Sequence, residues 1–339
     1  MKYHAEECAG ADEKRAELNQ ESRHHQIMID VCLLGTGGMM PMPDRWLSAL
    51  LLRSGGHTFL IDCGEGTQIS WKMSGWSFNQ TDAIILTHRH ADHTAGLPGI
   101  LYTIAHSMRT DPVTIYGPFG TKDLVDALRY IVPRLPFEVN VVELFNGDCV
   151  KLPGGMDMQT LEVSHQVPCL AYSFSLQRSR EFQREVAESL EIPVEHWRTL
   201  KSGEDVQING VSVKADDVLG PPRPGIKVSM VTDTRPTPEL PRFVHGSDLL
   251  VCEGMYGTEE ERERADERGH MVFPEAAEIA RRGGVKQLWL THFSPALQDP
   301  YEHLPTAQSI FPNTKIGVAH ETLTIPFPEE DEESEASSP

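Results

Sequence analysis

The stretch THRHADH at residues 87–93 places three histidines and an aspartate within six consecutive positions. In an extended loop, residues two apart point the same way, so His88 and His90 can present their imidazoles to one cation. Asp92 and His93 then face a second cation. Imidazole combined with carboxylate suits zinc or a similar divalent ion, and two such ions about 3.5–4 Å apart form a clamp for hydrolysis. A solvated histidine-rich turn is the alternative, but 15 histidines in 339 residues rarely fall three into six positions.

Three further candidate ligands lie downstream, each directly after an apolar stretch. They are His165 in EVSHQVP, Asp233 in MVTDTRP and His292 in LTHFSP. A single His or Asp at a strand end is more often a capping or solvated residue. Because these strands would deliver the three side chains to the same sheet edge as residues 88–93, the sequence predicts one metal site built from all seven.

The elements that must position these residues alternate between strands and functional loops. Apolar runs such as IMIDVCLLG, DAIILT, KVSMVT, DLLVCEG and KQLWLT read as strands, and each is followed by Gly, His, Asp or Glu. Amphipathic helices such as TKDLVDALRYIV and PEAAEIARRGG lie between several of them. With 339 residues, 39% of them apolar, the chain suits one large α/β domain with an ample core.

The two ends of the chain and one internal segment differ from this pattern. Residues 1–26 are polar and weakly patterned, which predicts a flexible extension, and residues 329–339 carry six acids and no base, which predicts a disordered tail. The folded domain is therefore predicted to span residues 27–328. Within it, residues 177–201 are charged and helical, and a hairpin with an Asn209-Gly210 turn follows. We expect this insertion to project from the sheet as an arm.

Overall composition limits the class of protein. The formal charge of −20 argues against a generally basic nucleic-acid binder, so a polyanionic substrate would need a local basic strip and the charge of the metals. Six widely spaced cysteines without a C-x-x-C pair are expected to be reduced thiols, mostly buried. No apolar run approaches the roughly 20 residues of a membrane span, and no signal-like segment is present, so a cytoplasmic protein without membrane contact is expected.

The motifs resemble those of a known superfamily. The signature H-x-H-x-D-H at residues 88–93, with later His, Asp and His ligands, is similar to that of the metallo-β-lactamase fold. The closer resemblance is to the ribonuclease Z family of tRNA 3′-processing endonucleases. LGTGGMMP, FLIDCGEGTQ, ILTHRHADHTAGLPGIL, SHQVPCLAYSF, VTDTRP, GHMVFPEAAEIA and LTHFSP follow that family's order from about residue 28 to 325. The resemblance implies an α/β fold, an αββα sandwich with the metals at one edge.

Carried over position by position, the resemblance implies two Zn²⁺ ions per chain, with Mn²⁺ or another divalent ion as an alternative. One ion would be held by His88, His90 and His165, and the other by Asp92, His93 and His292. Asp233 would bridge both ions. A hydroxide between them, formed from water whose pKa falls from 15.7 towards about 7, would attack the phosphorus. Asp62 in DCGEG would orient a ligand imidazole.

The resemblance also implies residues that act beside the ions, and the predicted catalytic residues are Asp92, His270 and Glu253. His270 could protonate the leaving 3′ oxygen or stabilise charge on the phosphorane, and Glu253 would orient it. The alternative for His270 is an ordinary residue before a helix. A phosphate site on free backbone N–H groups is predicted where a turn enters a helix, although such turns are often only turns. It would consist of Gly64, Gly66 and Thr67.

Two functions remain open. The leading one is a zinc-dependent phosphodiesterase that removes the 3′ trailer from precursor tRNA, leaves a 3′-hydroxyl end, and forms a homodimer as the family does. The alternative is a metal-dependent hydrolase of a small phosphodiester or ester, such as a cyclic nucleotide, an arylsulfate or a lactone. The arm favours the first, whereas its balance of five bases and five acids favours the second. A non-catalytic scaffold predicts a missing ligand, and none is missing.

Overall fold

The computed structural model describes residues 28–328. The predicted extension at residues 1–26 and the predicted acidic tail at residues 329–339 lie outside the described residues. The strands are β1 (Met28–Gly35), β2 (Ala49–Ser54), β3 (His57–Ile61), β4 (Thr81–Ile85), β5 (Val113–Gly117), β6 (Val139–Glu143), β7 (Cys149–Lys151), β8 (Met156–Glu162), β9 (Leu170–Arg178), β10 (Val206–Ile208), β11 (Val211–Val213), β12 (Arg223–Val231), β13 (Leu249–Glu253), β14 (Leu288–Thr291), β15 (Thr314–Ile316) and β16 (Thr322–Pro326).

The helices lie between these strands. They are α1 (Thr67–Ser74), α2 (Ala91–Thr94), α3 (Leu97–His106), α4 (Thr121–Arg129), α5 (Arg184–Ser189), α6 (Val194–Lys201), α7 (Leu240–Phe243), α8 (Arg262–Arg268), α9 (Phe273–Gly283) and α10 (Leu304–Gln308). Short 3₁₀ turns occur at Pro153–Gly155, Ala215–Asp217, Glu259–Glu261 and Pro300–Glu302. Among the described helices, none is long and apolar enough to cross a bilayer.

Two seven-stranded sheets form the centre of the molecule. The first has the order β16-β1-β2-β3-β4-β5-β6, and the second has the order β15-β14-β13-β12-β9-β8-β7. β3 to β6 run parallel in the first sheet, and β12 to β15 run parallel in the second. The remaining strands of each sheet pair antiparallel. The carboxyl ends of the parallel strands therefore form an edge in each sheet at which functional loops can meet.

Strand periodicity explains the layers. In β2, Leu50 and Leu52 belong to the core between the two sheets, whereas Ala49 and Leu51 belong to the core under the helices. This alternation is the period-two pattern of a strand buried on both faces, and it explains why these strands are continuous apolar runs. Helices α1, α3 and α4 cover the first sheet and α9 covers the second. The architecture is the αββα sandwich that the resemblance implies.

The arm is larger than the predicted residues 177–201. β9 extends to Arg178 and β12 begins at Arg223, so the inserted segment is residues 179–222. Asn209 and Gly210 have φ values of 50° and 82°, as the predicted hairpin turn requires. The helices and the hairpin share a small apolar cluster of their own: Ala187, Ile192, Leu200, Val206, Ala215, Val218 and Leu219. The hairpin is thus part of the arm, because only together do these elements bury their apolar faces.

The cysteines of the described residues are all free thiols. Cys32, Cys63, Cys169 and Cys252 are buried and Cys149 is exposed, which confirms the expectation of reduced, mostly buried cysteines for this part of the chain. Cys8 lies outside the described residues.

Candidate metal centre

The predicted ligands follow strand ends from both sheets. Residues 88–93 begin three residues after β4 of the first sheet, and His292 follows β14 of the second without a gap. Asp233 lies two residues after β12, and His165 lies three residues after β8. The structure brings all seven predicted ligands together at one edge of the sandwich, in groups whose donor atoms lie within 4.8 Å of one another.

The first group consists of three imidazoles and one carboxylate oxygen. The Nδ1 of His90 is 3.0 Å from the Nε2 of His88 and 3.3 Å from the Nε2 of His165. The Oδ2 of Asp233 lies 3.6 Å from the His88 nitrogen and 3.8 Å from the His165 nitrogen. Four donor atoms from three separate loops therefore surround one point.

The second group is built on the other carboxylate oxygen of Asp233. The Nε2 atoms of His93 and His292 are 3.1 Å apart, and the Oδ1 of Asp233 lies 3.3 Å from the first and 3.2 Å from the second. The Oδ2 of Asp92 completes the group at 3.6 Å from His93 and 3.5 Å from His292. The two oxygens of Asp233 therefore face different donor groups.

The donor set fits divalent cations. Two ligand nitrogens about 2.0–2.1 Å from a tetrahedral zinc ion lie roughly 3.3 Å from each other. The observed nitrogen pairs are 3.0–3.3 Å apart, and His90 Nδ1 faces two other ring nitrogens at once. Lone pairs directed at a shared point, with carboxylates beside them, are the arrangement of a metal site. The chain thus carries a site for divalent metal.

Burial favours the neutral, metal-binding form of the imidazoles in the first group. Burial lowers the pKa of His88 well below its usual value, and the neighbouring His93 adds to this effect. Burial also lowers the pKa values of His90 and His165. These imidazoles are therefore neutral near pH 7, which is the form that binds metal.

The second group stabilises positive charge. Burial disfavours the ionised forms of Asp92 and Asp233, but His292 and His93 outweigh it, and the pKa of each carboxyl falls below its usual range. Burial would lower the pKa of His93, but Asp233 and Asp62 raise it well above the usual value. The carboxylates that favour the protonated form of His93 offer the same negative charge to a divalent ion.

Outer contacts orient the ligand rings. The Oδ2 of Asp62 lies 2.7 Å from Nδ1 of His93, and Asp62 also accepts hydrogen bonds of 2.8 Å from both the N–H and the hydroxyl of Thr87. The Nδ1 of His165 lies 3.2 Å from the carbonyl oxygen of Gly269. In both rings these contacts leave Nε2 free to face the metals. Asp92 is held by the backbone N–H of Met39 at 2.7 Å.

His270 and Glu253 stand beside the metal groups. The Nδ1 of His270 lies 3.2 Å from Oε2 of Glu253 and 3.9 Å from Oδ2 of Asp233. Burial would lower the pKa of His270, but Glu253 and Asp233 together raise it to about 9. Glu253 is fully buried and also accepts the N–H groups of Thr234 at 2.6 Å and Met271 at 3.0 Å. One carboxylate thus connects His270 to the loop that carries Asp233.

The turn predicted to receive a phosphate packs against the metal loop. Thr67 is buried, and both its N–H, at 3.2 Å, and its hydroxyl, at 2.7 Å, donate to the carbonyl oxygen of Gly64. A Cβ on Gly64 would lie 2.2 Å from the carbonyl oxygen of Asp92. Gly66 has φ 85°, a backbone conformation that favours glycine. In the structure this turn packs against the metal loop, and the phosphate role of Gly64, Gly66 and Thr67 stays a prediction.

Sequence reasoning missed the residues that line the opening of the site. A cleft of about 290 Å³ contains His90, Asp92, His165, Asp233 and His270, and its wall includes Met39, Gln166, Met255, Tyr256, Arg264 and Arg268. The two arginines place positive charge at the cleft of a chain whose formal charge is −20. The spacing of arginines in ERERADERGH, just before His270, was the available signal, but only the fold shows which of them face the cleft.

Comparison with known proteins places this geometry in a family. A family model described as "Anti-Pycsar protein Apyc1" matches residues 29–180. Among solved structures, the metallo-β-lactamase fold protein YhfI of Bacillus subtilis aligns with a TM-score of 0.65 at 18% identity, over 88% of this chain and 99% of that one. The short form of human tRNase Z aligns with a TM-score of 0.63 at 23% identity, over 88% and 100%. These likenesses show the fold.

Relatives with similar sequences show the family as well as the fold. Ribonuclease Z of Lachnoclostridium phytofermentans is 46% identical over 88% of this chain and 99% of its own length. Ribonuclease Z of Clostridium kluyveri is also 46% identical, over 89% of this chain and all of its own length. The matched span contains the seven clustered side chains, which lie between residues 88 and 292. The chain belongs to the ribonuclease Z family of the metallo-β-lactamase fold.

Proposed function

We propose that the protein is a zinc-dependent endoribonuclease that removes the 3′ trailer from precursor tRNA and leaves a 3′-hydroxyl end. The observation that carries this proposal is the pair of donor groups joined by Asp233, in a chain 46% identical to named ribonucleases Z over most of its length. Two Zn²⁺ ions per chain fit the two groups, and Mn²⁺ is the main alternative because the same nitrogen and oxygen ligands accept it.

His88, His90 and His165 would hold one ion, and Asp92, His93 and His292 would hold the other. Asp233 would be a ligand shared by the two ions. When bound, such ions supply the positive charge that makes water a nucleophile near neutral pH and that stabilises the transferring phosphoryl group.

His270 is placed to move a proton. Its Nδ1 faces Glu253, so its Nε2 is the ring atom available to the cleft that it lines. A protonated His270 can donate to the leaving 3′ oxygen, and Glu253 and Asp233 favour the protonated form. Together with the ligand Asp92, His270 and Glu253 form the catalytic set that we propose.

A second candidate function is hydrolysis of a small phosphodiester or ester at the same metals. One observation favours it: the bases of the arm are partly neutralised within the arm itself. Arg180 pairs with Asp216 at 2.5 Å, and Arg184 pairs with Glu188 at 2.7 Å. Those two guanidinium groups are less available to RNA phosphates, so a test must use both kinds of substrate.

The deciding experiment incubates zinc-loaded protein with 5′-labelled precursor tRNA carrying a 3′ trailer, and separately with bis-p-nitrophenyl phosphate. We expect a single cut at the trailer junction, a 3′-hydroxyl on the tRNA fragment, and slower turnover of the chromogenic diester. Cleavage of the chromogenic diester without removal of the trailer would replace the RNA proposal with the second candidate.

Two variants separate metal binding from proton transfer. His90→Ala should abolish both activities because it removes a ligand shared by two short nitrogen contacts. His270→Ala should keep its metal content but lose about 10²–10⁴-fold in kcat on precursor tRNA, the usual contribution of a positioned acid. If His270→Ala retains wild-type kcat with metal in place, the proton-donor role is wrong.

We also propose a homodimer in the cytoplasm. On α1, Ile69 and Met73 lie one turn apart and are 52% and 62% exposed, and Tyr102 on the neighbouring α3 is 58% exposed. Exposed apolar groups on adjacent helices are typical of protein contact surfaces. Sedimentation equilibrium should give twice the mass of the chain. The mass of a single chain at micromolar concentration would contradict the dimer.

A further inference from the structure

A second recess adjoins the metal loop at Arg89, the residue that precedes His90, and it is distinct from the cleft of His270. Its volume is about 480 Å³, and it is lined by Arg89, Phe119, Gly120, Asp123, Leu124 and Pro168. It shares no lining residue with the cleft that contains His270. Arg89 lies between the predicted ligands His88 and His90, so the recess is built partly on the metal loop itself.

Sheet register explains why these residues meet. Ile85 of β4 pairs with Tyr116 of β5, so the segments that leave the two strands run side by side. Arg89 comes four residues after the first strand's end, and Phe119 two residues after the second's. The third segment contains Pro168 and precedes β9. It is joined to the start of the metal loop by the N–H of Leu170, which donates to the carbonyl oxygen of Thr87 at 3.0 Å. Three separate segments therefore build the recess against the metal loop.

The residues that line the recess suit a flat, partly polar ligand. Phe119 is 68% exposed, and no other ring of residues 28–328 packs against it. Leu124 and Pro168 add apolar surface, and Gly120, with φ 92°, has nothing within 4 Å of the position of a Cβ. Arg89 is exposed and makes no hydrogen bond or ion pair with the described residues, so its guanidinium is available to a phosphate.

An unpaired nucleotide combines these features. Its base can stack on an exposed aromatic ring, its phosphate can pair with an arginine, and its exocyclic amino group can donate to a carboxylate such as Asp123. Stacking requires a base that is not already in a duplex, which the single-stranded trailer supplies. The proposed acid His270 faces the leaving 3′ oxygen of the tRNA, and the trailer continues from the scissile phosphate away from that oxygen. A recess that shares no lining residue with the His270 cleft is therefore available to the trailer.

We infer that the recess between Arg89 and Phe119 holds an unpaired nucleotide of the 3′ trailer, with the base stacked on Phe119 and a phosphate on Arg89. This inference rests on the proposed function, because it assigns one part of the RNA to one part of that same site. It makes Phe119 a residue that sets affinity for the trailer rather than a group that takes part in bond breaking.

The test compares wild type, Phe119→Ala and Phe119→Tyr on two precursor tRNAs. One has an ordinary trailer, and the other has abasic nucleotides at the first trailer positions. We expect Phe119→Ala to lower kcat/KM on the ordinary trailer about tenfold, mostly through KM, as loss of one stacked base does. Phe119→Tyr should restore most of this loss, since its ring can still stack. Metal content, measured by elemental analysis, should be equal in all three proteins.

The abasic substrate distinguishes stacking from a general disturbance of the site. Wild type should lose about as much on the abasic trailer as Phe119→Ala loses on the ordinary one, and the two losses should not add. Tyr130→Ala is the matched control, because Tyr130 is an aromatic residue that is 86% exposed and does not line the recess. That variant should cut both substrates as wild type does.

The possible outcomes distinguish failure of this inference from failure of the proposed function on which it rests. If wild type removes the trailer but Phe119→Ala is unimpaired, or loses equally on both substrates, the stacking site is wrong and the proposed function stands. If wild type does not remove the trailer at all, the proposed function fails and this inference fails with it.

Discussion

Three residues at the metal centre have a backbone conformation that side-chain-bearing residues rarely adopt. The φ values of Asp62, Asp233 and His292 are 57°, 50° and 58°. Such a conformation costs of order 1–3 kcal/mol and persists only where the surroundings hold it. Each residue lies one or two positions after a strand, so the chain turns sharply and directs the side chain across the end of the sheet. His292 also needs the space left by Gly38, where a Cβ would lie 2.6 Å from its ring.

Asp62 should control metal affinity without touching a metal. Asp62→Asn removes the carboxylate that accepts from Thr87 and faces His93 at 2.7 Å. We expect about 10–100-fold weaker binding of metal, the usual effect of losing such a partner. Competition with a chromogenic chelator measures the change.

Asp82→Asn provides the control for this variant. Asp82 also faces an imidazole, that of His57 at 2.9 Å, but the pair belongs to neither donor group of the metal centre. It should leave metal affinity unchanged. Equal affinities for wild type and Asp62→Asn would show that Asp62 is only a turn residue.

At the residue scale, sequence predicted the clustered ligands better than the residues around them. His88 to His93 are adjacent in the chain, and His165, Asp233 and His292 each follow a recognisable strand, so covalent spacing and sheet geometry were enough to bring them together. Arg264 and Arg268 could not be chosen from among neighbouring arginines, because which face of α8 meets the cleft depends on tertiary packing.

At the scale of elements, the strands were the predictable part. β2, β3 and β4 are apolar on both faces, a pattern that needs two covered sides. The arm was predicted as residues 177–201 because the charged helical pattern ends there, whereas packing joins the hairpin to those helices through the cluster that contains Leu200 and Val206. β9 and β12 are neighbours in the sheet although 44 residues separate Arg178 from Arg223.

Removing the arm should separate RNA processing from metal chemistry. Arg178 pairs with Arg223 across antiparallel strands, so a short glycine-containing turn can replace residues 179–222 as a hairpin connection. The arm has its own apolar cluster, and the core between the sheets should therefore persist. We expect unchanged hydrolysis of bis-p-nitrophenyl phosphate and at least tenfold weaker processing of precursor tRNA, which corresponds to a loss of about 1.4 kcal/mol or more in binding.

Circular dichroism and metal content should first show that the arm-deleted protein is folded and loaded. A substitution within the arm that leaves its cluster intact, such as Glu195→Gln on the exposed side of α6, is the matched control. Should the folded, metal-loaded deletion process precursor tRNA as fast as wild type, the arm has no part in RNA recognition.

At the scale of the whole molecule, the metal centre joins the two sheets. His88, His90, Asp92 and His93 come from loops of the first sheet, whereas His165, Asp233 and His292 come from loops of the second. Bound ions would therefore connect elements that are otherwise held by packing, and each ion would stabilise the fold by about 4.1 kcal/mol at a thousandfold excess of free ion over its Kd. The resemblance predicted this sandwich, but composition and periodicity alone predicted only an α/β domain, since they carry no information on which strands are neighbours.

The measurement that tests the central claim most directly is anomalous diffraction from crystals of the zinc-loaded protein, recorded on both sides of the zinc absorption edge. It should show two peaks per chain, one among His88, His90 and His165 and one among Asp92, His93 and His292, with Asp233 between them. Elemental analysis of the same sample should give two ions per chain. A single peak, or peaks away from these side chains, would contradict the account of a two-metal centre.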